Sequence, residues 1–442
     1  MKIDPKRLRL YAVTDRAWTH DAEGLLRQVA AAVDGGAGIV QLREKHMGQA
    51  DFLAEAERFV ALCREKGAVS IINDNVEIAA QTGADGVHVG QEDLEAGRTR
   101  ELLGPDKLIG VSAHSVEEAL AAQAAGADYL GVGAAFVTGT KTDAKPISRE
   151  TIRAITAAVD IPVAVVGGIN SPEQAEELIA QGKCDLVVLC RQLTADPFFT
   201  QKVREGRPEE IRRCLRCMRC FPGPFEEAWA ELNGQFPEGC SINPCADHPE
   251  RWRVEPAEEK KTVLIVGGGV AGLQAAVTAR DRGHEVVLLE KSGQLGGILN
   301  FSVHDPDKND LAGFARAMEA QARAKGADLR LNTVLTGERL ADIRPDEVIL
   351  AIGSHPLLPP LPGLDGANVV LAMDAYAPDA RLGHKVVVLG GGLVGCETAV
   401  HLWKQGHEVE LVEMREELAP DAYRLHKRRL RELIAQHVKT HM

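Results

Sequence analysis

At 442 residues, 45% of them hydrophobic, the chain can bury several cores, and its length suggests roughly three domains. A net charge of −13, with no basic stretch of the kind that tracks a phosphate backbone, argues against a nucleic-acid partner. No run reaches the ~18 apolar residues that would suggest a membrane span, and the apolar run Leu10 to Val13 is too short for a signal peptide, so a cytoplasmic protein is expected, its oligomeric state left open.

In the first 205 residues, β-rich runs at 8–14, 39–43, 69–73, 86–89, 108–111, 129–132, 161–166 and 184–189 alternate with amphipathic helical patterns. That alternation signals parallel strands joined by crossover helices, and eight strands in so short a span fit a (β/α)8 TIM barrel better than an open sheet. Chemistry in such barrels gathers at the carboxyl ends of the strands. The polar residues stand there: Gln41, Arg43 and Lys45 after strand two, Asn73 and Asp74 after strand three, Asp93 after strand four, Ser112 on strand five, and Thr138, Thr140 and Lys141 after strand six. After strand seven comes Gly167-Gly168-Ile169-Asn170, then Ser171-Pro172 to begin a helix, Ser as N-cap and Pro at the first helical position. A strand that ends in two glycines before a helix lets backbone N–H groups approach a phosphate. Two carboxylates, several cations and a diglycine on one rim are what a magnesium-bridged pyrophosphate and a second phosphate require.

From residue 8 to about 170 the chain resembles thiamine phosphate synthase, through Leu10-Tyr11-Ala12-Val13-Thr14-Asp15, Gln41 to Lys45, Asn73-Asp74, Gly86 to Asp93, Gly110-Val111-Ser112 and Thr138 to Lys141. The resemblance implies that Asp74 and Asp93 ligate Mg2+. It implies that Gln41, Arg43, Lys45, Asn73, Ser112 and Lys141 hold an aminopyrimidine diphosphate, with Lys45, Ser112 and Lys141 as the catalytic residues among them. Thr138, Thr140 and Gly168 would hold the thiazole phosphate. Val137 stands where the family usually has proline, a change to loop stiffness more than to chemistry. His88, between Val87 and Val89 within strand four, is read as structural.

Past the diglycine, residues 171–197 resemble instead the last barrel strands of old yellow enzyme-type iron-sulfur flavoenzymes, which include 2,4-dienoyl-CoA reductase. There Arg191 would contact a flavin mononucleotide phosphate, with Cys190 in place of the usual glycine; the synthase family would have a small hydroxyl residue near Cys190. Both families put a phosphate between strands seven and eight, so Cys190 and Arg191 join Gly168 as candidates to bind it. The first six strands of the flavoenzyme barrel, which carry flavin contacts, are not in this chain, which leaves FMN the least supported cofactor.

A Cys-rich segment, residues 206–258, follows. Cys214-x2-Cys217-x2-Cys220 with Cys240 can ligate a [4Fe-4S] cluster, and four cysteines could equally take zinc. The resemblance favours iron-sulfur, with Cys240 as fourth ligand and Cys245 left over.

Residues 259–383 open with a strand and Gly267-x-Gly269-x-x-Gly272, with Glu290 closing the next strand. The glycines permit a tight turn and close approach of a pyrophosphate, and the acid accepts from a ribose hydroxyl. Gly390-x-Gly392-x-x-Gly395 with Glu413 repeats the device 123 residues on, within a segment 384–442. The pair resembles the FAD and NAD(H) domains of the same flavoenzymes, with Gln294 and Gly297 near the FAD. An acid at Glu413 favours NADH over NADPH. In that family the chain continues beyond this point, so both Rossmann-like folds are expected to be incomplete and their sheet edges exposed.

Three readings result. The first is a transferase joining the aminopyrimidine diphosphate to the thiazole phosphate with release of pyrophosphate, fused to a partial FAD/NAD(H) oxidoreductase. The second is an NADH-dependent enoate or dienoyl-CoA reductase fragment. The third is an inactive chimeric chain, since a join at matching strands of two barrels is what recombination or misassembly would leave. Small phosphorylated molecules are the expected partners.

Overall fold

The computed structural model describes residues 10–16, 19, 21–133, 147–220, 239–246, 253–422 and 424–442. The chain divides into two compact units, one holding the described residues up to Val203 and from Arg216 to Ala246, the other holding Arg204–Leu215 and Arg253–Met442.

The first unit alternates strand and helix in the expected order. Its elements are β1 (Tyr11–Val13), α1 (Ala22–Asp34), β2 (Ile39–Leu42), α2 (Gln49–Lys66), β3 (Val69–Asn73), α3 (Val76–Thr82), β4 (Gly86–Val89) and α4 (Ala96–Leu103). Then come β5 (Leu108–Ala113), α5 (Val116–Ala124), β6 (Tyr129–Val132), α6 (Arg149–Ala158), β7 (Val163–Val166), α7 (Pro172–Ala180), β8 (Leu186–Val188) and the short helices α8 (Arg191–Ala195) and α9 (Phe199–Arg204). Several helices begin on a side chain that accepts an otherwise unpaired N–H: Asp21, Asn75, Ser115, Ser148 and Ser171 each cap the next turn.

All eight strands are parallel and pair in sequence order. Alternation along each strand serves two buried faces. Val40, Leu42, Ile72, Val87, Val89, Ile109, Val111, Leu130 and Val132 pack with the helices in the main core. Ile39, Val69, Ile71 and Leu108 cluster with Tyr11 on the opposite face. That second cluster requires the sheet to curl. The Tyr11 hydroxyl of β1 lies 2.8 Å from the Tyr129 hydroxyl of β6, whereas five ladder steps in a flat sheet would hold those strands roughly 24 Å apart. The sheet is therefore curled in the TIM-like manner, and no ladder joins β8 to β1 among the described residues.

The second unit carries two parallel sheets. The first comprises β9 (Thr262–Val266), β10 (Glu285–Leu289), β11 (Asp328–Arg330) and β12 (Glu347–Leu350), in the order β11-β10-β9-β12, with α10 (Val270–Asp281), α11 (Asn309–Ala324) and α12 (Gly337–Ile343) between them. This 3-2-1-4 order reverses direction beside β9, the topological switch of a doubly wound fold. The second comprises β13 (Lys385–Leu389), β14 (Glu408–Val412) and β15 (Lys439–His441), in that order, with α13 (Leu393–Lys404) and α14 (Arg424–His437). The strand β15, at the edge of this sheet, is not legible in the sequence. Its residues are all exposed, so it carries no apolar alternation. Among the described residues, no helix is long and apolar enough to cross a membrane.

Candidate functional site

The carboxyl ends of β2, β3 and β4 deliver the charged rim residues. Asp74 directly follows β3 in a left-handed conformation (φ 63°), its N–H donating to the His88 carbonyl at 2.8 Å. Non-glycine residues rarely adopt this conformation, and such backbones gather at functional sites. Lys45 Nζ lies 2.5 Å from Asp74 Oδ2. Asp93 accepts from the Gly90 N–H at 2.6 Å. Burial raises its pKa, as does the adjacent Asp74 carboxylate to which it is hydrogen-bonded, while the Gly90 N–H and Lys45 act the other way. Two carboxylates pressed together beside one ammonium form a donor set for a hard divalent cation. Among the described residues no group of three or more His, Cys, Asp or Glu side chains is set to hold a metal ion. Two carboxylates completed by phosphate oxygens and water are nevertheless the usual ligands of magnesium.

Beneath this rim a polar chain crosses the interior of the curled sheet. Gln41 Nε2 donates to the Tyr11 hydroxyl at 2.7 Å, and Tyr11 meets Tyr129. Tyr129 lies 3.1 Å from His88 Nδ1, and His88 Nε2 lies 3.1 Å from Ser112 Oγ. Burial holds both phenols protonated, Tyr11 pushed up to about 12 and Tyr129 well above its ordinary value. Space for this chain comes from glycine: a Cβ at Gly110 would stand 2.2 Å from Tyr129 Cζ and 2.5 Å from His88 Nδ1. The strand position of His88 agrees with a structural reading, yet its ring also touches Ser112, and Tyr11 and Tyr129 complete the connection to Gln41. A sequence signal existed in the alternation, since Val87 and Val89 take the outer face and leave His88 to the interior.

On the far side of the sheet, Gly167 (φ 141°) and Gly168 (φ 63°) turn the chain between β7 and α7 in conformations that favour glycine. Ser171 caps α7 by accepting from the Gln174 N–H at 3.2 Å, with Pro172 at the first helical position. After β8, Cys190 is exposed and Arg191 donates to the Met218 sulfur. Asn73 ends β3 buried, and Arg43 directly follows β2 with its N–H on Thr14 Oγ1 at 3.0 Å. Val137, Thr138, Thr140 and Lys141 lie outside the described residues.

Among the cysteines, Cys214 is buried in the second unit. In the first unit, Cys217 is exposed and its sulfur lies 3.3 Å from Ser241 Oγ, which brings the segments about Cys217 and Cys240 side by side. Cys220, Cys240 and Cys245 are half-buried.

The two glycine fingerprints of the second unit share one geometry. Gly269 begins α10 and Gly392 begins α13, neither with a side-chain cap. A Cβ at Gly272 would stand 1.9 Å from the Gly267 carbonyl oxygen, and one at Gly395 1.8 Å from that of Gly390. Glu290 accepts from the Gly268 N–H at 2.7 Å and the Ser292 N–H at 2.8 Å. Glu413 accepts from Gly391 at 2.6 Å and Arg415 at 2.9 Å. Burial opposes the Glu290 charge, but the N–H groups of Ser292 and Gly268 overcome it and hold the carboxylate below its usual range; those of Gly391 and Arg415 do the same for Glu413. Such preset acids, bare helix starts and glycine-lined loops fit dinucleotides.

The likeness of the two copies runs further than their motifs. Gly296, next to Gly297 in the Gln294-Leu295-Gly296-Gly297 loop, donates its N–H to the Gly268 carbonyl at 2.9 Å; 123 residues on, Ala419 donates to Gly391 at 2.7 Å. One difference stands out. Asp421 Oδ1 accepts from the Leu393 N–H at 2.8 Å, at the start of α13, where the first copy has Ile298.

Comparison with known proteins divides the chain in the same way. Residues 10–193 match the thiamine monophosphate synthase family and residues 261–442 the pyridine nucleotide-disulphide oxidoreductase family. A thiamine-phosphate synthase of Clostridium acetobutylicum is 44% identical over 45% of this chain and 90% of its own length. An NADH oxidase of Thermoanaerobacter brockii is 40% identical over 60% of this chain, which covers only 41% of that relative. Among solved structures, a 2-naphthoyl-CoA reductase bound to 2-naphthoyl-CoA superposes with a TM-score of 0.75 at 24% identity, over 94% of this chain and 81% of that one, a likeness of fold alone.

Proposed function

We propose that this chain, which through residues 10–193 belongs to the thiamine-phosphate synthase family, is a magnesium-dependent transferase that joins an aminopyrimidine diphosphate to a thiazole phosphate and releases pyrophosphate. It works on a (β/α)8 barrel spanning 1–205, joined to a Cys-rich segment (206–258), an FAD-binding region (259–383) and an NAD(H)-binding region (384–442). The observation that carries the reading is the Asp74, Asp93 and Lys45 group at the carboxyl rim of the curled sheet. Bound there, magnesium would supply positive charge to the leaving diphosphate. Arg43 and Lys45 are the cations for its remaining oxygens, and Ser112, held by His88, offers a hydroxyl to the same group. Gln41, fixed by the Tyr11 phenol, orients the pyrimidine. The Gly167-Gly168 turn offers N–H groups to the thiazole phosphate. No general base is needed, because positioning and charge stabilisation carry a reaction in which a leaving group departs before capture.

Asp74→Ala and Asp93→Ala are each expected to lower magnesium-dependent thiamine phosphate formation by at least ~100-fold. Measured transfer that survives both substitutions would sink the proposal.

A second reading is favoured by the matched dinucleotide loops: an NADH-dependent flavin and iron-sulfur reductase activity of the second half. The Cys214-x2-Cys217-x2-Cys220 spacing followed by Cys240 supports a [4Fe-4S] cluster on these four thiols. Anaerobic purification with iron, sulfide, zinc and flavin analysis, followed by an NADH-dependent enoate reduction assay, separates the readings. Protein with neither flavin nor cluster but with transfer activity supports the first, and protein with neither activity supports an inactive chimeric chain.

A further inference from the structure

The arm that carries Arg43 and Lys45 is not part of the sheet, because β2 ends at Leu42. Its backbone must therefore be fixed by something other than the ladder. Between the two cations stands Glu44, whose side chain is only 3% exposed. Its carboxylate accepts from Arg16 Nε at 3.1 Å and from Arg16 Nη2 at 2.7 Å. Arg16 Nη2 also donates to Glu55, a residue of α2 whose side chain is 4% exposed. One guanidinium thus ties together the segment after β1, the arm after β2 and the helix behind it.

Two nearly buried carboxylates on a single cation form an arrangement that removing the cation would break apart. Burial raises the Glu55 pKa against the pull of Arg16, and Glu44 adds to the rise, as expected where two nearly buried carboxylates meet one cation. A planar fork with several donors is suited to hold two carboxylates at once, which a lysine ammonium cannot do in the same geometry.

Resting on the transferase reading above, we infer that Arg16 is a positioning residue for the diphosphate: by clamping Glu44 to Glu55 it presents Arg43 and Lys45 to the phosphate oxygens. It does not itself meet substrate, since its guanidinium is engaged with Glu44 and Glu55.

The test uses the full chain with Arg16→Met, Arg16→Lys and Glu44→Gln. Binding of inorganic pyrophosphate in the presence of magnesium is measured by calorimetry, alongside KM for each substrate and the thermal unfolding temperature. Arg16→Met is expected to weaken pyrophosphate binding and raise KM for the aminopyrimidine diphosphate ~10–100-fold, with KM for the thiazole phosphate within about twofold. Arg16→Lys should recover only part of the loss. Glu44→Gln, which keeps the size of the side chain but weakens its hold on Arg16, should show the same selective effect if Arg16→Met does not fold. Unchanged pyrophosphate binding in a folded variant, or equal loss for both substrates with a lowered unfolding temperature, overturns the inference. A wild-type chain with no transfer activity instead overturns the functional reading on which it rests.

Discussion

A methyl group at Gly110 has nowhere to go, because Tyr129 Cζ and His88 Nδ1 would lie 2.2 and 2.5 Å from it and both rings are fixed by further hydrogen bonds. Gly110→Ala is therefore expected to destabilise the first unit by about 1–3 kcal/mol, as overpacking of a filled interior does. A lower denaturant midpoint at unchanged slope would show it. The displaced His88 ring would also release Ser112, so transfer activity should fall by more than the unfolded fraction explains. At this scale the sequence was legible where local spacing carried the message. Asp74 and Asp93 follow adjacent strands, and parallel pairing of β3 with β4 brings those strand ends side by side. It was not legible where partners are remote: Arg16 meets Glu44 and Glu55 from 28 and 39 positions away, and nothing in the spacing of one acid or one arginine names the other. Tyr11 and Tyr129 are 118 positions apart and meet only because the sheet curls.

Elements were easier to read than their edges. Apolar alternation fixes the eight strands of the first unit because both sheet faces are buried, whereas β15 has no buried face and left no pattern. The doubled glycine fingerprint was legible as a repeat, yet its extension was not, since Gln294-Leu295-Gly296-Gly297 and Glu417-Leu418-Ala419-Pro420 share one residue although Gly296 and Ala419 make the same backbone bond. That extension exposes a difference with a consequence. The Asp421 carboxylate rests on an N–H at the start of α13, the end of a helix where anions are stabilised and where a dinucleotide pyrophosphate would sit. Phosphate and carboxylate cannot share that position, so Asp421 would have to swing aside for a nucleotide to bind there. Asp421→Ala is expected to tighten NADH binding to the second fingerprint several-fold, by on the order of 1 kcal/mol. Fluorescence titration at low and high salt checks it: the gain should shrink as salt screens the exposed carboxylate, and an unchanged affinity at low salt would show that Asp421 does not compete.

Across the whole molecule, two separate cores contain buried thiols that report on them. Cys63 and Cys184 lie in the core of the first unit, and Cys396 lies in the core built on β13, β14 and α13. Burial pushes the Cys63 thiol up to about 12 and those of Cys184 and Cys396 up to about 11. Since the thiolate is the reactive form and all three sulfurs are covered, none should be alkylated at pH 8 in the native protein, while the exposed Cys217, when it holds no metal, should react readily. The cores should not open together. The core of the first unit is enclosed between the helices and an eight-stranded sheet, whereas the Cys396 core rests on three strands, one of which leaves Val387 58% and Leu389 54% exposed. Less buried apolar surface gives a lower opening free energy. Pulsed alkylation along a urea gradient, read by mass spectrometry, is thus expected to modify Cys396 at a lower urea concentration than Cys63 and Cys184, which should become reactive together. Bound nucleotide should shift the Cys396 midpoint upward and leave the other two in place, because a ligand stabilises only the core that holds it. Simultaneous exposure of all three thiols, with or without nucleotide, would mean that the two units unfold as one.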